Sequence, residues 1–397
     1  MDFEFSPEER AWAEQAQAYI KQCAAKPGVR IKGAEATRFV DTAEKRGFMK
    51  DLAKGGYLGV SWPKELGGQG LSARYDYLLN EACAYENAPA VGKGIGIIGR
   101  SMARHGTPEQ QAYFLPKILN AEIEWAIGYS EPEAGSDLAS LKIKATRDGD
   151  GWRINGQKRF TTSAHFGDWY YLATRTDASG PKHKGITLFL IDLHNTPGIH
   201  ITPMYCINGE RTNEVFLDNV YVPDSQRFGG EGEGFKIISE ALDFERFTLF
   251  PHNIQQRIFD KFLEWVRTAT RDGEPVRNDP VARNAVARLS VLVETGRMHS
   301  VSVLALEGYE AAVAAAMNKT FGSELFQHMA NVISSVIGAQ TMLRPDESTG
   351  CDNEAELYDG LFELIHRAGV ILTVGAGTNE IQRNIIARRG LGLPNPT

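Results

Sequence analysis

Four short stretches carry residues that could do chemistry. Residues 126–137 (AIGYSEPEAGSD) set an apolar, strand-like start against Pro132, two acids, a flexible Ala-Gly and a Ser-Asp pair. A strand running into such a loop brings backbone N–H groups, hydroxyls and carboxylates to one ligand. The same pattern also describes a strand that ends in a polar turn. Residues 152–163 (WRINGQKRFTTS) read as a hairpin turn at Asn155-Gly156, after which a strand presents Phe160, Thr161 and Thr162. An aromatic ring beside adjacent hydroxyls can stack on a heterocycle and hydrogen-bond to it. In residues 375–383 (GAGTNEIQR), Gly375 and Gly377 let the backbone pass close to a ligand. Thr378 can cap the following helix, whose first N–H groups attract anions; a glycine break between packed helices has the same pattern. The fourth stretch is a helix over residues 233–250. Helical spacing puts Glu245 on the face of Ala241, Leu242 and Leu249. A carboxylate on an apolar stripe is desolvated and suited to take a proton near neutral pH, unless a cation elsewhere pairs with it. Asp243 and Arg246, three apart, can pair on the neighbouring face.

The elements that position these stretches fall into three blocks. Residues 1–121 read as helices. Ser6-Pro7-Glu8-Glu9 is a helix start with a capping box, and Trp12, Ala16, Tyr19 and Ile20 follow on one face. A second helix spans residues 36–54 and stops at Gly55-Gly56. A loop over residues 62–70 precedes a third helix at residues 73–86. Residues 94–99 match GxGxxG, but helical segments lie on both sides and no βαβ rhythm follows. Glycines that let helices approach closely are the reading here.

Residues 122–232 change texture to short alternating or β-branched runs at 125–129, 141–147, 152–155, 169–175, 185–192, 200–204 and 213–222. Turn signals separate them, as at Asp148-Gly149-Asp150-Gly151 and Thr196-Pro197-Gly198. This is a β domain of about seven or eight strands, a sandwich or open barrel. From residue 233 to 397 helices return, with polar interruptions at 268–279 and 345–353. The class is α+β, ordered helical, β, helical.

Composition excludes some functions. The chain has 397 residues, 42% hydrophobic and 23% charged, with net charge −7. There is no basic footprint for nucleic acid, so an anionic ligand must be met by local groups. The acidic start MDFEFSPEER lacks the regions of a signal peptide, and no apolar run reaches the ~18–20 residues of a membrane span. The four cysteines, Cys23, Cys83, Cys206 and Cys351, show no CxxC or metal spacing. A cytoplasmic protein with reduced thiols is expected.

Taken together, WPKELGGQG, YSEPEAGSD, INGQKRFTT, the GFK…LDFER helix and GTNEIQRNIIARRGLGLP resemble the acyl-CoA dehydrogenases over essentially the whole length. That resemblance implies FAD held between the β domain and the C-terminal helices, and an acyl-CoA substrate oxidised at its α,β carbon–carbon bond. It implies that Ile127, Tyr129, Ser130, Gly135 and Ser136 lie on the flavin, with Ser136 also near CoA. Phe160, Thr161 and Thr162 would follow, Thr162 at the reactive edge of the ring. Thr378, Asn379 and Glu380 would touch the cofactor, Gly377 the substrate, and Gly338 would lie in a diphosphate-contacting turn. Asp243 and Arg246 match positions that meet the CoA part of the substrate. Electrons would pass to an electron-transfer flavoprotein.

Departures refine the assignment. Many members carry a catalytic glutamate where this chain has Ala376, which takes no proton. A subgroup supplies the base from a helix resembling LDFER, which points to Glu245. The segment RTATRDGEPVRNDPVA replaces one that reaches a neighbouring subunit's FAD, and Ala339 replaces a common glycine. These departures resemble the bacterial steroid side-chain enzymes, some of which pair two different subunits. A homo-oligomer (dimer or tetramer) or a heterotetramer with a related subunit is expected. The alternatives on the same fold are a flavin monooxygenase or nitroalkane-oxidase-like enzyme, and a non-catalytic partner subunit.

Overall fold

The computed structural model describes residues 3–31, 39–248, 251–306, 308–343, 358 and 360–394, the side chains of 243–248 excepted. The chain forms two compact units, each assembled from segments distant in sequence. One takes Met1–Arg38, Ala73–Ala90 and Arg246–Thr397; the other takes Phe39–Ser72 and Val91–Glu245. Cys351 and the expected break at 345–353 lie outside the described residues.

The second unit is built on an eight-stranded sheet. Its strands are β1 (Trp125–Gly128), β2 (Lys144–Asp148), β3 (Gly151–Lys158), β4 (Trp169–Arg175), β5 (Ile186–Asp192), β6 (Ile199–Tyr205), β7 (Arg211–Pro223) and β8 (Arg227–Phe228). They join in the order β6-β7-β3-β2-β4-β5-β8, and β1 lies beside β4. Residues 170–174 of β4 and 186–191 of β5 are buried throughout, which explains their near-continuous apolar sequence. β1 runs parallel to β4 from Trp125↔Trp169 to Gly128↔Leu172. β2 meets the same edge of β4 only at Lys144↔Arg175.

Three expectations in this unit need correction. Asn155-Gly156 is no hairpin turn: β3 runs through it, with a register slip against β7 between Ile154 and Gly156. Gly156 has φ +143°, and a Cβ there would fall 2.7 Å from Ile143. The glycine serves a bulge, while the true β2–β3 turn is at Asp148–Gly151. The run 141–147 is strand only from Lys144, and the helix expected over 36–54 begins at Ala43, capped by Thr42.

Helices brace the sheet. Helix Pro108–Leu119 opens with a Thr107/Gln110 capping box. Its Phe114 stands edge-on to Trp169, centroids 4.8 Å apart, and lies 5.2 Å from Trp125 at the start of β1. Residues 94–98 form a π-type turn that continues into helix Gly99–His105. A Cβ on Gly99 would lie 2.1 Å from the Trp62 ring, so these glycines serve close packing, as their helical context predicts. Helix Gly234–Thr248 buries Gly234, Ile237, Ile238 and Ala241 along one face. His105 Nε2 lies 2.8 Å from Glu240 Oε2 on that helix.

The first unit is helical. Helix Pro7–Ala24 starts with the expected capping box: Ser6 Oγ accepts from Glu9 N–H, and Glu9 accepts from Ser6 N–H. Helices Asn253–Thr268, Pro280–Leu304, Gly308–Ile337 and Leu361–Val374 enclose a core that includes Phe262, Leu289, Phe326, Met329, Ile333 and Phe362. The polar interruption at 268–279 contains a small hairpin, β9 (Thr270–Arg271) and β10 (Glu274–Pro275). It turns through Asp272 and Gly273, both at positive φ, the arrangement favoured for two-residue turns. Helix Asn379–Ile385 follows later. Among the described residues no helix is long and apolar enough to cross a membrane.

Candidate functional site

The end of β1 is fastened from below by a buried ion pair. Lys158, the last residue of β3, has no exposed side chain, yet its Nζ lies 2.8 Å from Glu131 Oε1 and donates to the Tyr129 carbonyl at 3.0 Å. Burial pushes its ammonium down to about 8, with Glu131 acting in the opposite direction. Glu131 also accepts from the N–H groups of Lys142 (2.6 Å) and Ile143 (3.1 Å). One carboxylate therefore closes the loop between β1 and β2 on itself. The Arg159 N–H donates to the Ser130 carbonyl at 2.9 Å. With this underside fixed, Ile127, Tyr129 and Ser130 are partly exposed, and Gly135 and Ser136 are fully so.

Residues 160–162 lie just past β3, beside this loop. Phe160 adopts φ +58° and leaves its ring 56% exposed. A left-handed non-glycine residue with an open aromatic face needs support, and Asn213 of β7 supplies it. The Asn213 Nδ2 donates to the carbonyls of Thr161 (2.9 Å) and Thr162 (3.3 Å), and its carbonyl accepts from Thr161 N–H at 3.0 Å. Thr161 is fully buried with its hydroxyl 3.2 Å from Tyr170 OH. Its side chain faces the core. Thr162 is partly exposed, and its hydroxyl has only long contacts, 3.3 Å to Thr212 and 3.4 Å to the Phe160 carbonyl. An open ring, a loosely held hydroxyl and an exposed loop at one end of the sheet fit a flavin-sized heteroaromatic ligand.

At the other end of β1 the chemistry differs. Glu124 is pushed up to about 7 by burial, while Arg46 and Lys93 pull it down and Asp168 pushes it up. Its N–H donates to Asp168 Oδ2 at 2.7 Å, and Arg46 Nη1 meets the same oxygen at 3.1 Å.

Helix Gly234–Thr248 carries Asp243, Glu245 and Arg246. Their side chains lie outside those described. Position 245 is one turn beyond the buried Ala241.

In the helical unit, residues 375–378 make a tight turn. Ala376 has φ +55° and Gly377 φ +80°, and a Cβ on Gly377 would fall 2.8 Å from Gln382 Nε2. That amide donates to the carbonyls of Ala376 (3.3 Å) and Gly377 (3.2 Å). Thr378 caps the following helix by accepting from Ile381 N–H. Glu380 is exposed; its own amide at the helix start and the Thr378 hydroxyl hold its carboxyl below the usual value. Asn379 is buried, and its side chain turns into the helical core. Gly338 has φ +86° and ψ −147°, backbone that only glycine adopts readily.

Sequence reasoning thus found the loops but not what holds them. Glu131 and Lys158 both lie inside stretches singled out for their polar residues, yet no local pattern pairs residues 27 apart. Asn213 gave no signal at all.

Comparison with known proteins agrees along the chain. Residues 6–122, 126–220 and 232–391 match the family models for the acyl-CoA dehydrogenase N-terminal, middle and C-terminal domains. The chain is 34% identical over 353 residues to acyl-CoA dehydrogenase FadE29 of Mycobacterium tuberculosis, covering 88% of each. It is similar to a chain of the ChsE4-ChsE5 complex from Mycobacterium tuberculosis, with TM-score 0.88, 29% identity and 100% coverage of both. It is also similar to a chain of the Tcur3481-Tcur3483 steroid ACAD, with TM-score 0.87, 29% identity and 100% coverage of both.

Proposed function

We infer from this chain, which belongs to the acyl-CoA dehydrogenase family, how it carries out FAD-dependent oxidation of the α,β carbon–carbon bond of an acyl-CoA thioester. The observation that carries the reading is the sheet end where the Lys158–Glu131 pair fixes residues 129–131 and Asn213 holds Phe160 open. Ile127, Tyr129, Ser130, Gly135, Ser136, Phe160 and Thr162 hold the cofactor there by stacking, backbone and hydroxyl contacts. Thr161 and Asn379 serve it indirectly, since both side chains face inward. Thr378, Glu380 and Gly338 complete the cofactor contacts. Bound FAD supplies the acceptor for the hydride that leaves the β-carbon.

Glu245 takes the α-proton. Its position continues the buried stripe of Ile237, Ile238 and Ala241, and Ala376, in the C-terminal turn, has no group to do so. A positioned base contributes roughly 10²–10⁴ in rate. Asp243, Arg246, Ser136 and Gly377 bind the CoA part and the thioester. The expected result is that Glu245→Gln keeps its yellow FAD but is no longer bleached anaerobically by substrate; unimpaired bleaching rejects Glu245 as the base.

We place domain boundaries at 121/122 and 232/233, just ahead of β1 and of helix Gly234–Thr248. The substrate is a steroidal acyl-CoA, a reading supported by likeness to a chain of the Tcur3481-Tcur3483 steroid ACAD. The assembly is a heterotetramer with a related subunit, supported by likeness to a chain of the ChsE4-ChsE5 complex; a homo-oligomer is the alternative. Electrons leave to an electron-transfer flavoprotein in the cytoplasm. Bleaching rates across straight, branched and steroidal thioesters test the substrate class: equal or faster bleaching by straight chains rejects the steroidal reading.

A further inference from the structure

We propose that Lys319 is a positioning residue that sets the shape of the turn at residues 375–378, and through it the grip on FAD. The proposal rests on the reading of that turn as cofactor-facing. Lys319 sits in the middle of helix Gly308–Ile337 with no exposed surface. A lysine is almost never buried so completely unless its ammonium is engaged. Here Nζ donates to Asn379 Oδ1 at 2.7 Å and to the Thr373 carbonyl at 3.3 Å. Thr373 lies in the last turn of helix Leu361–Val374, and Asn379 is the first residue of the next helix. One ammonium therefore ties together the two chain ends that flank the turn.

Neighbours on the same helix complete the grip. Ser323 Oγ donates to Asn379 Oδ1 at 3.1 Å, and Glu324 Oε1 accepts from Asn379 Nδ2 at 3.1 Å. Asn379 thus spends both ends of its amide inward. Gln382 donates to the carbonyls of the two left-handed residues, Ala376 and Gly377. Among the described residues no donor reaches its own buried Oε1, so its orientation serves the turn rather than its own full satisfaction. An alanine at φ +55° next to a glycine at φ +80° is not a conformation the chain holds unaided. Lys319 ties the residues that flank the turn and Gln382 holds its carbonyls, leaving Thr378, Glu380 and the backbone between them for a ligand.

The test is FAD release from the holoenzyme, followed by the rise of free-flavin fluorescence after dilution, with thermal unfolding measured separately in saturating FAD. Lys319→Met is expected to release FAD at least tenfold faster, and Gln382→Leu roughly three- to tenfold faster, each by more than the change in unfolding temperature accounts for. If Lys319→Met does not fold, Gln382→Leu and Ser323→Ala decide. Release within twofold of the unaltered protein in the folded variants, with only the unfolding temperature lowered, overturns the proposal and leaves a structural role. Failure of the unaltered protein to hold FAD strikes instead at the proposed function.

Discussion

Glu124, just ahead of β1, and Glu131, just beyond its end, are 9% and 8% exposed. They have the same side chain, nearly the same burial and a four-residue strand between them. Glu131 accepts from a buried ammonium and from the N–H groups of Lys142 and Ile143, and so fastens a loop. Glu124 feels its cations, Arg46 and Lys93, less than it feels burial, and is pushed up to about 7. The contrast teaches that a buried carboxylate builds rigid structure when donors converge on it. Where desolvation dominates instead, it makes stability depend on pH. In this unit the rigid end is the one that carries the exposed ring, hydroxyl and loop.

The largest expected effect comes from breaking the rigid end. Lys158→Met leaves Glu131 buried without its cation, and should lower unfolding free energy by about 3–5 kcal/mol. Adding Glu131→Gln should restore part of that loss, because the stranded charge goes while an acceptor remains for the Lys142 and Ile143 N–H groups. A double variant as unstable as the single, in urea titrations, would show that Glu131 is not what Lys158 neutralises.

A smaller effect, opposite in sign, is expected at the other end. Native Glu124 keeps its proton up to about 7, while the unfolded chain releases it near 4.5. The native state therefore binds more protons between those values, and this group's contribution to stability falls as pH rises from 4.5 through 7. Glu124→Gln should gain on the unaltered protein by about 1–3 kcal/mol more at pH 8 than at pH 5. An equal difference at both pH values would reject burial as what sets the Glu124 carboxyl.

The smallest effect sharpens the comparison by staying near zero. Lys142 Nζ pairs with Glu133 in full solvent, next to the buried Glu131. Lys142→Ala should leave the melting temperature unchanged within error, since the hydrogen bond to Glu131 comes from the backbone N–H and the side-chain pair is solvated. A clear drop would mean that the surface pair, not the buried one, holds the loop.

Local signals made much of the fold legible. Ser6 and Glu9 announced a helix start, and helical context on both sides of the glycines at 94–99 ruled out a nucleotide turn that became a π-type turn. The buried strands β4 and β5 were readable because burial on both faces leaves a long apolar run. Asn155-Gly156 misled because a bulge and a hairpin want the same backbone freedom, and only the pairing partner tells them apart. At this sheet end Phe160 and Thr162 were singled out by type, and the structure leaves both at least partly exposed. Lys158, Asn213 and Lys319 were not found as supports, because a polar residue that fastens a distant loop looks in sequence like any surface residue.

One feature of the sheet bears on how such a site can change. β1 and β2 both run parallel to β4 on the same edge, in line, with only Ala173 and Thr174 between their footholds. Residues 129–143 leave that edge and come back to it almost where they left. Each foothold is set by its own ladder, so residues can be inserted or deleted at the exposed tip without forcing either strand to slip. The lineage can therefore redraw the outline of this exposed loop while the underlying sheet stays in frame.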